Sequence, residues 1–208
     1  MTEDYSVGTD SAVRVPLSTL ANLKNELLDL YGEDQVAAFA AIKARRQIEE
    51  WLKSGSAKTD GSMLFGEGDP NDPAATADYS LNFAELLQRF DPADQYAKAV
   101  RARLIVFAYT LWEKVYRPAI KQECGIGRVD SDVFGDLRLY RNAILHKRAS
   151  LDAPAKVLTV FAEGDLIEPT ADQLREVFKQ LVVGLNDIGI RYYGEDPGFV
   201  WGHVLTPG

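Results

Sequence analysis

Leu104-Ile105-Val106-Phe107-Ala108-Tyr109-Thr110-Leu111-Trp112-Glu113-Lys114-Val115-Tyr116 is the stretch from which the fold is read. Leu104, Phe107, Ala108, Leu111, Trp112 and Val115 recur with the period of one helix face, and Ile105, Tyr109 and Tyr116 widen the stripe. A face this broad and aromatic predicts a helix inside a core rather than a cofactor box. Asp91-Pro92 offers its start, because an aspartate caps free amides and proline is tolerated at the first helical position. Pro118 predicts a kink near its end, and Gly125 and Gly127 the stop. The apolar run from Leu104 to Ala108 soon meets Glu113 and Lys114, well short of the roughly 20 residues that a membrane span needs.

Working outward, Leu20, Leu23, Leu27, Leu28 and Leu30 predict an amphipathic helix from Leu17 to Tyr31, ended by Gly32. Asp34 caps a second helix carrying Ala37, Ala40, Ala41, Ala44, Ile48, Trp51 and Leu52, with Lys43, Arg45 and Arg46 on its solvated side. Residues 54–79 are rich in Gly, Asp, Ser, Pro and Ala and read as a long loop: a disordered connection, a lid or a partner-binding segment. A short helix follows from Leu81 to Phe90. Asp130, Ser131 and Asp132 can cap another that runs to about Arg148, and Thr170 with Gln173 has the spacing of a capping box for a last helix to about Tyr192. Between these two, Val157, Leu158, Val160 and Phe161 face Leu166 and Ile167 across Glu163-Gly164-Asp165, which predicts a small β-hairpin or extended insertion near 156–168. Residues 1–16 read as a loose arm, and 195–208 as a tail whose Phe199, Trp201 and Val204 pack back or meet a partner. The whole is an all-α chain, one domain over 1–208, a bundle of about five to six helices.

The 208 residues carry 31 acids against 23 bases, a net charge of -8. That balance argues against a protein coated in positive charge for duplex nucleic acid, so any such contact needs a local patch. One cysteine, Cys124, forms no internal disulfide, and the acidic start Met1-Thr2-Glu3-Asp4 is unlike a signal peptide; a cytoplasmic setting without a membrane partner is the expectation. There is no phosphate-binding glycine loop and no glycine-flanked serine nucleophile. With only two histidines, His146 and His203, and no Glu-x-x-His pair, neither a metal nor a cofactor is expected.

The patch is found at Asp136-Leu137-Arg138-Leu139-Tyr140-Arg141-Asn142-Ala143-Ile144-Leu145-His146-Lys147-Arg148. At about 100° per residue, Val133, Leu137, Tyr140 and Ile144 form a core side. Arg138, Arg141, Asn142, His146 and Arg148 gather on the other, with Leu145 and Ala149 among them. Residues 136–149 hold four bases against one acid, a segment charge of +3. Guanidinium forks match phosphate oxygens in a planar, bidentate way, and an imidazole exchanges protons near neutral pH. Arginine, amide and imidazole together supply what phosphodiester cleavage without a metal requires. Arg141 and His146 are five apart and diverge by about 140° on an ideal helix, so Arg141 must reach round, or the site must span two helices. An ordinary solvated face whose arginines pair with surplus acids is the competing reading.

Arg141-Asn142-Ala143-Ile144-Leu145-His146 resembles the signature of the HEPN superfamily, an arginine, four to six intervening residues, then a histidine, commonly with a polar residue after the arginine. The context, late on one helix of an all-helical chain with an aromatic-rich helix before it, is similar too, and the resemblance spans Asp91 to Tyr192. It implies a bundle that dimerises with the signature helices facing across a cleft. It implies a metal-independent endoribonuclease in toxin-antitoxin, phage-defence or RNA-processing systems, with an antitoxin or regulatory protein as a further partner; other members are non-catalytic binding modules. Members paired with nucleotidyltransferases carry a tyrosine two residues after the histidine, where this chain has Arg148. On this reading a 2′-hydroxyl of RNA attacks its adjacent phosphate. Arg141, Asn142 and His146 are the catalytic residues; Arg138, Lys147 and Arg148 bind substrate. A non-catalytic RNA- or protein-binding module using the same face is the alternative.

Overall fold

A computed structural model describes residues 17–67, 76–146 and 149–202. The arm 1–16, Lys147, Arg148 and the end of the tail with His203 and Val204 lie outside the described residues. The chain folds as a helical bundle with one small antiparallel hairpin. Its elements are α1 (Ser18–Ser54), β1 (Ser62–Glu67), β2 (Thr76–Asn82), α2 (Phe83–Arg89), α3 (Gln95–Leu111), α4 (Arg117–Glu123), α5 (Asp132–His146) and α6 (Ala171–Ile188). Among the described residues no helix is long and apolar enough to cross a membrane.

The central helix is where the sequence puts it, with two adjustments. Its cap is Asp94, whose side chain accepts from the Tyr96 amide at 2.9 Å, while Asp91 holds the Ala93 amide in the turn before. Its buried face is centred on Ile105, Ala108, Tyr109 and Trp112, so Phe107 and Val115 of the predicted stripe stay half-exposed. A wider, π-helical turn over Trp112–Tyr116 separates α3 from α4, and there the Arg117 amide reaches back to the Trp112 carbonyl. Pro118 explains it: the ring clashes with the carbonyl four residues back and offers no amide, and widening the turn absorbs both.

Where the sequence predicts two helices broken at Gly32, α1 runs unbroken for 37 residues. A mid-helix glycine costs about 1 kcal/mol relative to alanine, which burial on both sides of it outweighs. Leu20, Leu23, Leu27 and Leu30 enter the main core, and Ile48 enters a second, smaller one with Leu81, Phe83 and Leu86. Asp34 does not cap a helix start, because its carboxylate is buried against Arg101 of α3 at 3.2 Å. Arg101 also donates to the Pro92 carbonyl at 3.0 Å, tying the α2–α3 turn to α1. Between the two cores lies a cavity of about 360 Å³ walled by alanines 37, 41 and 44 of α1 and by Pro92 and Val100.

The hairpin lies in the segment read as a loop. β1 and β2 pair in antiparallel register, Phe65 opposite Tyr79, with a bulge between Phe65 and Gly66. Gly66 is required there: a Cβ would meet the Thr76 carbonyl oxygen at 1.8 Å. Residues 156–168 form no hairpin; bends and turns make up much of the segment. Only a single bridge, Ser150 to Leu166, links this segment into β pairing. Asp136 on the inner side of α5 takes the amides that a partner strand would have used: its Oδ2 accepts from Lys156, Val157 and Leu158 at 2.8, 2.6 and 3.0 Å. One turn on, the Tyr140 hydroxyl donates to the Leu158 carbonyl and accepts from the Phe161 amide at 3.3 Å. Burial pushes the Tyr140 phenol up to about 12.

α6 begins at the predicted capping box, with Gln173 N to Thr170 Oγ1 at 3.2 Å and Thr170 N to Gln173 Oε1 at 2.9 Å. Gly184 lets it approach α5, where an added Cβ would stand 2.6 Å from Val133 Cγ1. The tail packs back as predicted: Asn186 pairs both backbone groups of Phe199, and Trp201 meets Tyr31 edge-on at 5.1 Å between ring centroids.

Replacing Asp136 by alanine leaves three amides without their acceptor and is expected to lower the unfolding free energy by about 3 kcal/mol or more, measured by urea denaturation; Asp136→Asn, which keeps one oxygen, should lose less. Gly184→Ala should cost about 1–3 kcal/mol through overpacking against Val133 in the same assay.

Candidate functional site

α5 owes its orientation to its inner side. Val133, Phe134, Asp136, Leu137, Tyr140 and Ala143 are buried, and Trp112 stacks on Phe134 with centroids 4.1 Å apart and planes inclined by 8°. With that side committed, the periodicity of the helix turns Arg138, Leu145 and His146 to the exterior and leaves Arg141 and Asn142 half-buried between. The segment's one acid is on the buried side. The outward stripe of α5 between Arg138 and His146 is therefore more uniformly basic than the sequence count suggests.

The angular gap between Arg141 and His146 is partly closed by the arginine's own length. Arg141 Nη1 donates to Asn142 Oδ1 at 2.8 Å, which draws the guanidinium round the helix toward the side that Asn142 shares with His146, one turn on. Asn142 also lines a small cavity of about 120 Å³ with Leu139, Ser150 and Asp152. His146 is the last residue of α5 and is exposed. Lys147 and Arg148, expected to bind substrate, lie outside the described residues.

Ala149 is tied back to the helix. The Ala149 amide donates to the Ala143 carbonyl at 3.0 Å, and Ile167 donates to the Ala149 carbonyl at 2.8 Å. Between these anchors Ala149 takes a φ of 65°, the left-handed conformation that disfavours a Cβ. Strain of this kind is sustained only where the surroundings over-determine it, and here it holds the chain immediately after the Arg141–His146 segment.

Basic side chains beyond α5, which sequence reading did not connect with it, lie near its start: Arg117 from α4, Arg128 from the α4–α5 connection and Lys156 from the segment pinned by Asp136 share a cleft with Arg138. Arg128, a few residues before the predicted caps, was the available signal; Arg117 and Lys156 come from distant parts of the chain. Burial and a hydrogen bond to Glu113 raise the Tyr109 phenol, against the opposing charges of Arg138 and Arg117. Burial likewise pushes the Cys124 thiol up, away from the reactive thiolate form. No group of three or more His, Cys, Asp or Glu side chains that could hold a metal ion occurs among the described residues.

No protein-family model matches the chain, no curated protein matches it in sequence, and no solved structure matches its fold.

Ala149→Gly should relieve the left-handed strain and raise stability by about 0.5–1 kcal/mol, visible as an increase in Tm of ~2 °C in a calorimetric scan.

Proposed function

We propose that the chain is a HEPN-like, metal-independent endoribonuclease, acting in the cytoplasm as a homodimer through α5. The setting that suits it is a toxin or phage-defence effector held in check by an antitoxin or regulatory protein. The observation that carries this reading is the Arg141–Asn142 hydrogen bond of 2.8 Å, which steers a guanidinium toward the side of α5 that ends in the exposed imidazole of His146. An ordinary solvated arginine has no need of such a tether, whereas a phosphate site gains from a fork that is already oriented.

In the proposed reaction a ribose 2′-oxygen attacks the adjacent phosphorus and the bond from phosphorus to the 5′-oxygen breaks, giving a cyclic phosphate and a free 5′-hydroxyl. One neutral imidazole takes the 2′-hydroxyl proton, and one protonated imidazole gives a proton to the leaving 5′-oxygen. Each chain brings one His146, so a twofold pair of α5 helices supplies both. Half-exposed Leu145, beside His146, offers apolar contact for that pairing. Arg141 stabilises the charge that grows on the pentacoordinate phosphate, and Asn142 holds Arg141 in place. Facing guanidinia repel across such a seam, and the bound strand's phosphates offset that repulsion.

Incubation of the purified protein with labelled RNA in excess chelator tests this. Wild type is expected to cleave, leaving cyclic-phosphate ends, and His146→Ala and Arg141→Ala to lower the rate by about 10²-fold or more with unchanged circular dichroism. Full activity in His146→Ala would refute the assignment. RNA binding without turnover, weakened in Arg141→Ala, would instead mark a non-catalytic module.

A further inference from the structure

The cleft at the start of α5 is a polar cavity that the proposed reaction leaves unused. It opens to about 320 Å³ between the α3–α4 turn and α5, with Tyr109 and Trp112 at its back. Its acids are already matched: Asp130 takes Arg128 at 2.7 Å, and Asp132 takes Lys156 at 3.5 Å. Glu113, which does not line it, accepts the Tyr109 hydroxyl at 3.1 Å and keeps its charge. Among the lining residues Arg117 and Arg138 are the surplus. Arg117 commits Nε to the Val129 carbonyl at 3.0 Å, which fixes the plane of its fork and leaves the outer nitrogens as donors. Arg138 approaches from α5 and is exposed. Two guanidinium groups converging on one opening, in a chain of net charge -8, form an anion site of the type that planar forks make with phosphate oxygens.

We infer that this cleft is a phosphate subsite for an RNA strand, with Arg117 and Arg138 as its two contacts. The inference rests on the reading of α5 as an RNA-cleaving helix and extends it along the strand. Arg138 and His146 are eight residues apart on one helix, about 12 Å along the axis. The phosphate held here is therefore a flanking one rather than the one that is cut. Its role is to fix the strand's direction along α5 and its register against His146. Positioning of this kind changes affinity and choice of cleavage site more than it changes the chemical step.

Fluorescence anisotropy with a labelled 2′-O-methyl oligoribonucleotide, which binds without being cut, tests the subsite at two salt concentrations. Arg138→Gln is expected to weaken binding about five- to tenfold at low salt and to reduce the salt slope by ~0.7 for the one lost single-strand phosphate contact. Arg117→Gln should behave alike, with a melting curve checking the α4–α5 connection that its Nε supports. Arg46→Gln, on the exposed side of α1, should leave both quantities unchanged. An excess of inorganic phosphate that abolishes the difference between wild type and Arg138→Gln without displacing the oligonucleotide would support the same assignment. If wild type binds and Arg138→Gln and Arg117→Gln bind equally well, the subsite is refuted while the α5 reading stands. If wild type itself does not bind, that reading falls and the subsite with it.

Discussion

A buried carboxylate organises the part of this protein around α5. Asp136 stands where α5 should carry an apolar side chain, and taking an ion out of water costs several kcal/mol unless hydrogen bonds replace its hydration. Three successive amides from residues 156–158 do so at one oxygen. The arrangement serves two needs at once, since the Leu158 amide would otherwise be buried without a partner in a segment that has no neighbouring strand. Together with Tyr140 one turn later it fixes the rotation of α5 about its own axis. Once that rotation is set, the positions of Arg138, Arg141, Asn142 and His146 follow from helix geometry alone.

The bundle itself was legible because burial in helices is periodic. The last helix, its capping box and the inner side of α5 all follow from spacing, and so does the outward basic stripe. The unbroken α1 was not legible. Gly32 and Asp34 are a stop and a cap by local rules, and only Arg101, 67 positions away, shows why Asp34 is buried instead. The hairpin was hidden for a different reason: most of the side chains on β1 and β2 are exposed, so the alternation that marks a strand is absent. The β-prone run at 157–161 misled in the opposite direction, because its amides are satisfied by a side chain rather than by a second strand.

The candidate site divides along the same line. Arg138, Arg141, Asn142 and His146 belong to one helix, and sequence could group them. Asp136 was counted there as part of the surface charge, although an acid at a core position of an amphipathic pattern is itself a sign of burial. Arg117 and Lys156 reach the start of α5 only through tertiary folding, and no local period announces them. Residues 136–149 carry a charge of +3 in a chain of -8, which favours the approach of an anion to that segment over other surfaces.

The two cores that share α1 have a mechanical consequence. The outer one, built on Ile48, Leu81, Phe83 and Leu86, is joined to the bundle along α1, past an alanine-walled gap, and through the α2–α3 turn, where Arg45 pairs with Asp91 at 3.0 Å. The hairpin and α2 are thus held at two places, by α1 and by the α2–α3 turn, and Arg101 serves both through Asp34 and the Pro92 carbonyl. Detaching that outer unit exposes less apolar surface than opening the bundle, which makes it the more easily lost of the two to local unfolding.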